Sequence, residues 1–194
     1  GYVLPTAIGN KITFKLAKNG SQNVCNVHSI GYDGFTLDLN EIEVSDTEWQ
    51  NYILGVLNEI LKLTDKVSGF DCTIESDLPL GSGLSSSAAM ECGLAYGLNE
   101  LFDLGLSKLT IVQLSQRAEH SYVGTQCGIM DQFASVMSKE GNVILLDCQS
   151  LEYRHSPIDI HPYQIVMLNT KVEHSLASSE YNTRKQECEE GVSI

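Results

Sequence analysis

What this chain has little of narrows its chemistry before any motif is read. Lysine and arginine together number 12 against 25 aspartates and glutamates, for a formal charge of −13. Nucleic acid is held through clustered cations, so that scarcity excludes a nucleic-acid surface while leaving room for a local anion site. No apolar run approaches the roughly 18 residues that a membrane-spanning helix requires, so no membrane partner is expected. The six cysteines (Cys25, Cys72, Cys92, Cys127, Cys148 and Cys188) stand singly, without a C-x-x-C pair or a histidine cluster at zinc-ligand spacing. They read as buried, reduced thiols rather than a metal or disulfide framework. A secretory signal pattern, an internal repeat and a low-complexity linker are all missing, and the expected setting is the cytoplasm. What is present, 194 residues that are 42% hydrophobic, suffices for one core plus part of another.

The first 40 residues hold short apolar runs, YVLPTAI, KITFKLAK, NVCNVHSI and GFTLDLN, separated by Gly, Asn and Asp. They predict consecutive strands in a meander or hairpin set. SDTEWQNYILGVLNEILKLT then places Trp49, Tyr52, Ile53, Val56, Leu57, Ile60 and Leu61 at helical spacing, with Ser45 and Glu48 in a capping-box pattern. A strand with Phe70, Cys72 and Ile74 on one face leads into LPLGSGLSSSAAMECG. There follows a helix with small residues on one side and Met90, Leu94, Leu98 and Leu101 on the other, expected to be central and buried on both. A further helix from Ser107 puts Ile111, Leu114, Ala118 and Tyr122 on its core stripe and Glu119 elsewhere. Then come a loop at GTQCGIMDQ, a short helix, a Gly141–Asn142 turn, the strand VILLD, a buried strand at YQIVMLNT and an incipient helix through EYNTRKQECEE. Element types mix without a regular strand–helix repeat, which predicts an α+β or mixed α/β fold, divided into residues 1–162 and the start of a second domain at 163–194.

A strand, a Gly81-Ser82-Gly83 turn and a helix entered through Ser85, Ser86 and Ser87 can form an anion site, with unpaired N–H groups and the positive end of the helix dipole facing the ligand. The same residues can equally make a tight turn and an ordinary serine N-cap. A Walker loop is excluded because no lysine stands here, and a dinucleotide fingerprint because position 86 is serine. A helix terminus contributes roughly 0.3 to 2 kcal/mol, whereas micromolar binding needs about 8. A nucleotide would therefore need a metal ion and a base pocket as well. His28, His120, His155, His161 and His174 form no constellation, His120 reads as a hydrogen-bonded structural residue, and the serines of SLASSEY lack flanking glycines and read as structural.

PLGSGLSSSAA resembles the central phosphate-binding motif of the GHMP small-molecule kinases. AEHSYVGTQCGIMDQFASVMSKEGNVILLDCQSLEYR and VEHSLASSEYNTRKQECEEG resemble the galactokinase branch of that family. The resemblance implies that Gly81, Ser82, Gly83, Leu84, Ser85, Ser86 and Ser87 wrap the phosphates of ATP. It implies too that Ser87 and Glu119 hold Mg²⁺, two hard oxygen donors suited to that ion. Trp49 and Tyr52 would touch adenine, although both also fit the core stripe of their helix. Asp131 would be the catalytic carboxylate at the anomeric hydroxyl of galactose, with Gly128 lining the sugar site; taken without the resemblance, Asp131 reads as a helix N-cap.

The resemblance also implies parts that these residues do not contain. A G-R-x-N-L-I-G-E-H-x-D-Y signature would stand just ahead of GYVLPTAI, and a third glycine-rich motif and a sugar-site tyrosine would follow. The chain is accordingly expected to be a fragment, with little or no ATP-dependent phosphorylation of galactose by itself. Two alternatives are an N-acetylgalactosamine or arabinose kinase of the same family and a non-catalytic galactose and ATP sensor; the intact CGIMDQF and uninterrupted GLSSSAA favour the galactose enzyme.

Overall fold

A computed structural model describes residues 1–79, 82–168 and 177–193, with only the backbone of 177–179. The fold is mixed α/β, as the mixed periodicities predict. Four strands, β1 (Tyr2–Val3), β2 (Ile12–Lys18), β3 (Val24–Ser29) and β4 (Phe35–Asp38), precede α1 (Glu48–Leu61). Then come β5 (Phe70–Ser76), α2 (Ser86–Phe102), α3 (Lys108–Ala118), a π-helical turn (Glu119–Val123) and α4 (Met130–Met137). β6 (Asn142–Asp147), β7 (Tyr153–Pro157) and α5 (Ala177–Val192) complete the described elements.

The strands were expected as a meander or hairpin set; their order rules out the meander and keeps one hairpin. One sheet runs β2-β5-β3-β4 and a second runs β1-β6-β7. β5 inserts between β2 and β3, antiparallel to the first with Phe14 opposite Ile74, and parallel to the second with Val27 opposite Cys72. Only β3 and β4 form a hairpin among the first four strands. The cause is burial: β5 turns Phe70, Cys72 and Ile74 inward and buries more apolar side chains than any other strand of its sheet, so it takes a central place.

On the inner face of the larger sheet, Cys25, Val27, Phe70, Cys72 and Ile74 meet Ile53, Val56, Leu57 and Ile60 of α1 and Leu94, Ala95 and Leu98 of α2. The small face of α2 is what allows close packing. A Cβ on Gly93 would fall inside the Phe14 ring, and one on Gly97 inside Leu16. α3 divides its apolar residues, giving Ile111, Leu114 and Ala118 to this core and Val112 to a second one with Ile129, Phe133, Met137, Ile144 and Leu146. That second core seats α4 on β6.

Three local expectations are corrected. The Ser45–Glu48 capping box does not form; α1 starts at an N-cap Thr47 without a side-chain cap. Asn51, buried one turn on, instead grips Ser45, its Oδ1 accepting the Ser45 N–H at 2.8 Å and its Nδ2 donating to the Ser45 carbonyl at 2.9 Å. A side-chain amide satisfies donor and acceptor together, which a serine hydroxyl in a capping box does not. Residues 163–168 of YQIVMLNT form no buried strand: Tyr163, Ile165, Val166 and Leu168 are each at least 70% exposed, because among the described residues no strand lies beside them. Of the cysteines, Cys25, Cys72 and Cys92 are buried, Cys127 and Cys148 half-buried and Cys188 exposed on α5, all unpaired. His174 and the first two residues of SLASSEY lie outside the described residues, and its remaining serines are described in backbone alone.

Candidate active site

α2 begins at Ser85, an N-cap in the left-handed conformation (φ 56°, ψ 43°) with no side-chain cap bond. A non-glycine residue held there stores strain, and such strain collects at functional positions. The reason is where the hydroxyl goes: Ser85 Oγ donates to Asp131 Oδ2 at 2.7 Å, across 46 residues of sequence. The first-turn N–H groups of α2 are thus left without a side-chain cap, at the positive end of the helix dipole. Gly83, just before, has φ +71°, and Ser82 Oγ donates to the Pro79 carbonyl at 2.6 Å, closing the turn. Leu84, Ser86 and Ser87 are half-buried. Gly81 lies outside the described residues.

Glu119 stands where α3 widens into the π turn. Four residues after Ser115 and seven after Val112, it falls on their buried side of α3 and is only 6% exposed. Its Oε2 accepts from Gln132 Nε2 at 2.8 Å and from the Cys127 thiol at 3.4 Å. Burial raises its pKa, opposed by hydrogen bonds from Cys127 and Ser87 and reinforced by the charge of Asp131. Ser87 and Glu119 are therefore neighbours. The Cys127 thiol, pushed up to about 12 by burial and by Glu119, stays protonated and remains a donor.

Glu91 lies one turn beyond Ser87 on α2, fully buried, and neither of its carboxyl oxygens has a hydrogen-bond partner. Burial, with Glu119 second, raises its pKa to about 10, so it is neutral at pH 7. Tyr52 of α1 closes the enclave; its pKa is raised, first by burial and then by Glu119, Glu48 and Glu91. Among the described residues no lysine or arginine ion pair reaches Glu91, Glu119 or Asp131.

The donor set fits Mg²⁺. Ser87 and Glu119 present hard oxygens side by side, and the surrounding negative charge has no protein counter-ion. Two ligands suit an ion that keeps water and phosphate oxygens for its remaining positions; no cluster of three His, Cys, Asp or Glu is found among the described residues.

Asp131 sits in the first turn of α4, whose N-cap is Ile129, so the N-cap reading of the aspartate is corrected. Gly128 is exposed in the loop just before it. His120 Nε2 donates to the Cys127 carbonyl at 2.9 Å, in keeping with a structural role. Trp49 is half-buried against Tyr32 and Phe35, with ring centroids 5.6 and 5.4 Å away. Tyr52, one turn on, faces the carboxylates. The sequence reading missed Glu91, Gln132 and Cys127. An acid four residues after Ser87 in an otherwise apolar helix, and a glutamine beside Asp131, were the available signals.

Residues 51–139 match the model of the GHMP kinases N terminal domain. A galactokinase of Thermosipho africanus is 40% identical over 199 residues, covering all of this chain and 54% of the relative. One of Thermotoga maritima is 42% identical over 190 residues, covering 98% and 53%. The crystal structure of Lactococcus lactis galactokinase complexed with galactose superimposes with a TM-score of 0.91 at 34% identity, over 98% of this chain and 50% of that one. The chain thus spans about half the length of the curated relatives it matches. The family match and the superposition lead to one conclusion: residues 51–139 are a GHMP kinases N terminal domain, set in a fold shared with the Lactococcus lactis galactokinase structure.

Proposed function

We propose that the protein carrying this chain is an ATP-dependent kinase whose acceptor is galactose, yielding galactose 1-phosphate and ADP, with Mg²⁺ as its metal ion. The observation that carries this reading is the convergence of Ser85 on Asp131 and of Ser87 on Glu119. Distant segments meet at the opening turn of one helix, an arrangement that stability alone does not require. The galactokinase relatives and the galactose in the Lactococcus lactis structure support galactose as the acceptor.

In this reading the loop from Gly81 to Ser87 wraps the phosphates with backbone N–H groups and hydroxyls, and Ser87 and Glu119 hold the metal. A Mg²⁺ ion held by Ser87 and Glu119 would supply positive charge against the negative charge that develops on the transferred group. Trp49 and Tyr52 are the candidate adenine contacts, and Gly128 leaves room for the sugar. Asp131, oriented by Ser85, accepts the proton of the anomeric hydroxyl as that oxygen bonds to the γ-phosphorus. The bond from the γ-phosphorus to the bridging oxygen breaks, and ADP leaves with the electron pair. We assign residues 1–162 to the nucleotide-binding domain and place the protein in the cytoplasm, where both substrates are soluble; no helix among the described residues is long and apolar enough to cross a membrane.

The test is ADP release and phosphosugar formation by the purified protein with Mg-ATP and galactose, N-acetylgalactosamine or arabinose. Galactose-dependent turnover is expected. Turnover of arabinose alone would overturn the acceptor, and binding of galactose and Mg-ATP without product would overturn catalysis.

A further inference from the structure

The loop that leads into Asp131 is held from two sides. From α3 and the π turn, Gln116 Nε2 at 3.1 Å and His120 Nε2 at 2.9 Å both donate to the Cys127 carbonyl. The other side is α5, more than 50 residues later in the chain. Asn182 uses both ends of its amide there: Oδ1 accepts the Gln126 N–H at 2.8 Å, and Nδ2 donates to the Gly124 carbonyl at 2.8 Å. The neighbouring Tyr181 hydroxyl accepts the Gly128 N–H at 3.2 Å.

This contact is selective. Asn182 is the one residue of α5, among those whose side chains are described, that is not exposed. Apart from the ties at Cys127, the loop has little else to define its course. Gly124, at φ +84°, ends the π turn, Gly128 has no side chain, and apolar anchoring resumes only at Ile129, 8% exposed in the second core. A carbonyl and an N–H two residues apart require a partner offering a donor and an acceptor on one short, planar group. Asparagine supplies this; aspartate would set a carboxylate against the Gly124 carbonyl.

We propose that Asn182, assisted by Tyr181, is a positioning residue that fixes the 124–128 loop and thereby sets Gly128 and Asp131 against the acceptor substrate. The inference rests on the kinase reading above. It assigns α5 to the acceptor side of the site: its polar ties go to the loop before Asp131, whereas the serine loop at 82–87 is held by Pro79 and Asp131.

The test compares the protein carrying this chain with its Asn182→Ala, Asn182→Asp and Tyr181→Phe variants. The readouts are amide exchange at Gln126 and Gly128 and the separate kinetic parameters for galactose and Mg-ATP. Asn182→Ala is expected to speed exchange at Gln126 and to lower kcat/KM for galactose about tenfold to a hundredfold, with KM for Mg-ATP within about twofold, since small misplacement of reacting groups has effects of that size. Asn182→Asp should resemble it, and Tyr181→Phe should speed exchange at Gly128 with a smaller kinetic loss. Unchanged exchange in Asn182→Ala, or equal rises in both KM values, would overturn the proposal. Should Asn182→Ala fail to fold, Tyr181→Phe decides by the same two readouts. A wild-type protein that phosphorylates no sugar refutes the kinase reading instead, and the exchange data then judge the loop contact separately.

Discussion

The two faces of α2 are built on opposite terms. Toward β2 the helix is dry and close, with Gly93 under the Phe14 ring and Gly97 against Leu16. Toward α3 and α4 it is polar and incompletely satisfied. There Glu91 has no hydrogen-bond partner, Ser115 Oγ and Gln132 Oε1 are likewise buried and unpartnered, and Glu119 is held by an amide and a thiol. Glu91 and Gly93 are two residues apart, about 200° around the helix axis. One face stabilises the fold; the other keeps charge in a low-dielectric enclave beside the serine loop, at a cost in stability. Function and packing are thus separated by rotation about a single helix rather than by distance.

The sharpest way to break this division is Asp131→Asn. Loss of the proton acceptor should reduce turnover about 10²- to 10⁴-fold, with little change in the unfolding midpoint; a variant that melts early would mean that the polar face is structural. Next in size, Gly93→Val should destabilise by about 1 to 3 kcal/mol through overpacking against Phe14. The double variant with Phe14→Ala should recover part of that loss, and strictly additive effects in urea denaturation would show that the ring is not the obstacle.

Glu91 supplies a pH-dependent test. Unfolded, its carboxyl ionises near 4.5; folded, it keeps its proton up to about 10. Between those values the unfolded state binds fewer protons, so stability falls as pH rises. Glu91→Gln has no such proton to lose. Its advantage over the parent should widen from pH 6 to pH 8, by at most about 1.4 kcal/mol per pH unit, in denaturant titrations without divalent cation; a margin independent of pH would mean that Glu91 finds a partner. The smallest effect is expected from Ser115→Ala. Its hydroxyl is buried without a hydrogen bond, so removing it should leave stability within about 0.5 kcal/mol or raise it slightly. A loss above 1 kcal/mol would reveal a hydrogen bond to the Cys92 thiol beside it.

Much of this organisation was legible in the sequence where the signal is local. Alternation of Phe70, Cys72 and Ile74 marked β5, and the small residues of α2 announced a close approach that Gly93 and Gly97 make. The serine-rich loop, Glu119 and Asp131 were nominated from their motifs, and the fold brings their side chains within reach of one another. Strand order was not legible, because the insertion of β5 between β2 and β3 is decided by burial of whole faces, not by turn residues. Nor was the π turn: one extra residue in a helical turn leaves no periodic trace. Asn182 looked like any polar residue of a surface helix, since its partners are backbone groups far away in sequence.

The pairing of β1 with β6 has a consequence for how the site comes into being. Tyr2 lies opposite Asp147, so β1 has no strand partner among the described residues until β6 has emerged from the ribosome. The larger sheet pairs strands that end at Ser76, and the buried residues of its core end at Ala118, so it can assemble before β6 is made. The smaller sheet, on whose β6 the helix of Asp131 rests, must close late. The growing polypeptide therefore has its serine-loop scaffold before it has a seated carboxylate, and gains both together only once β6 has been synthesised.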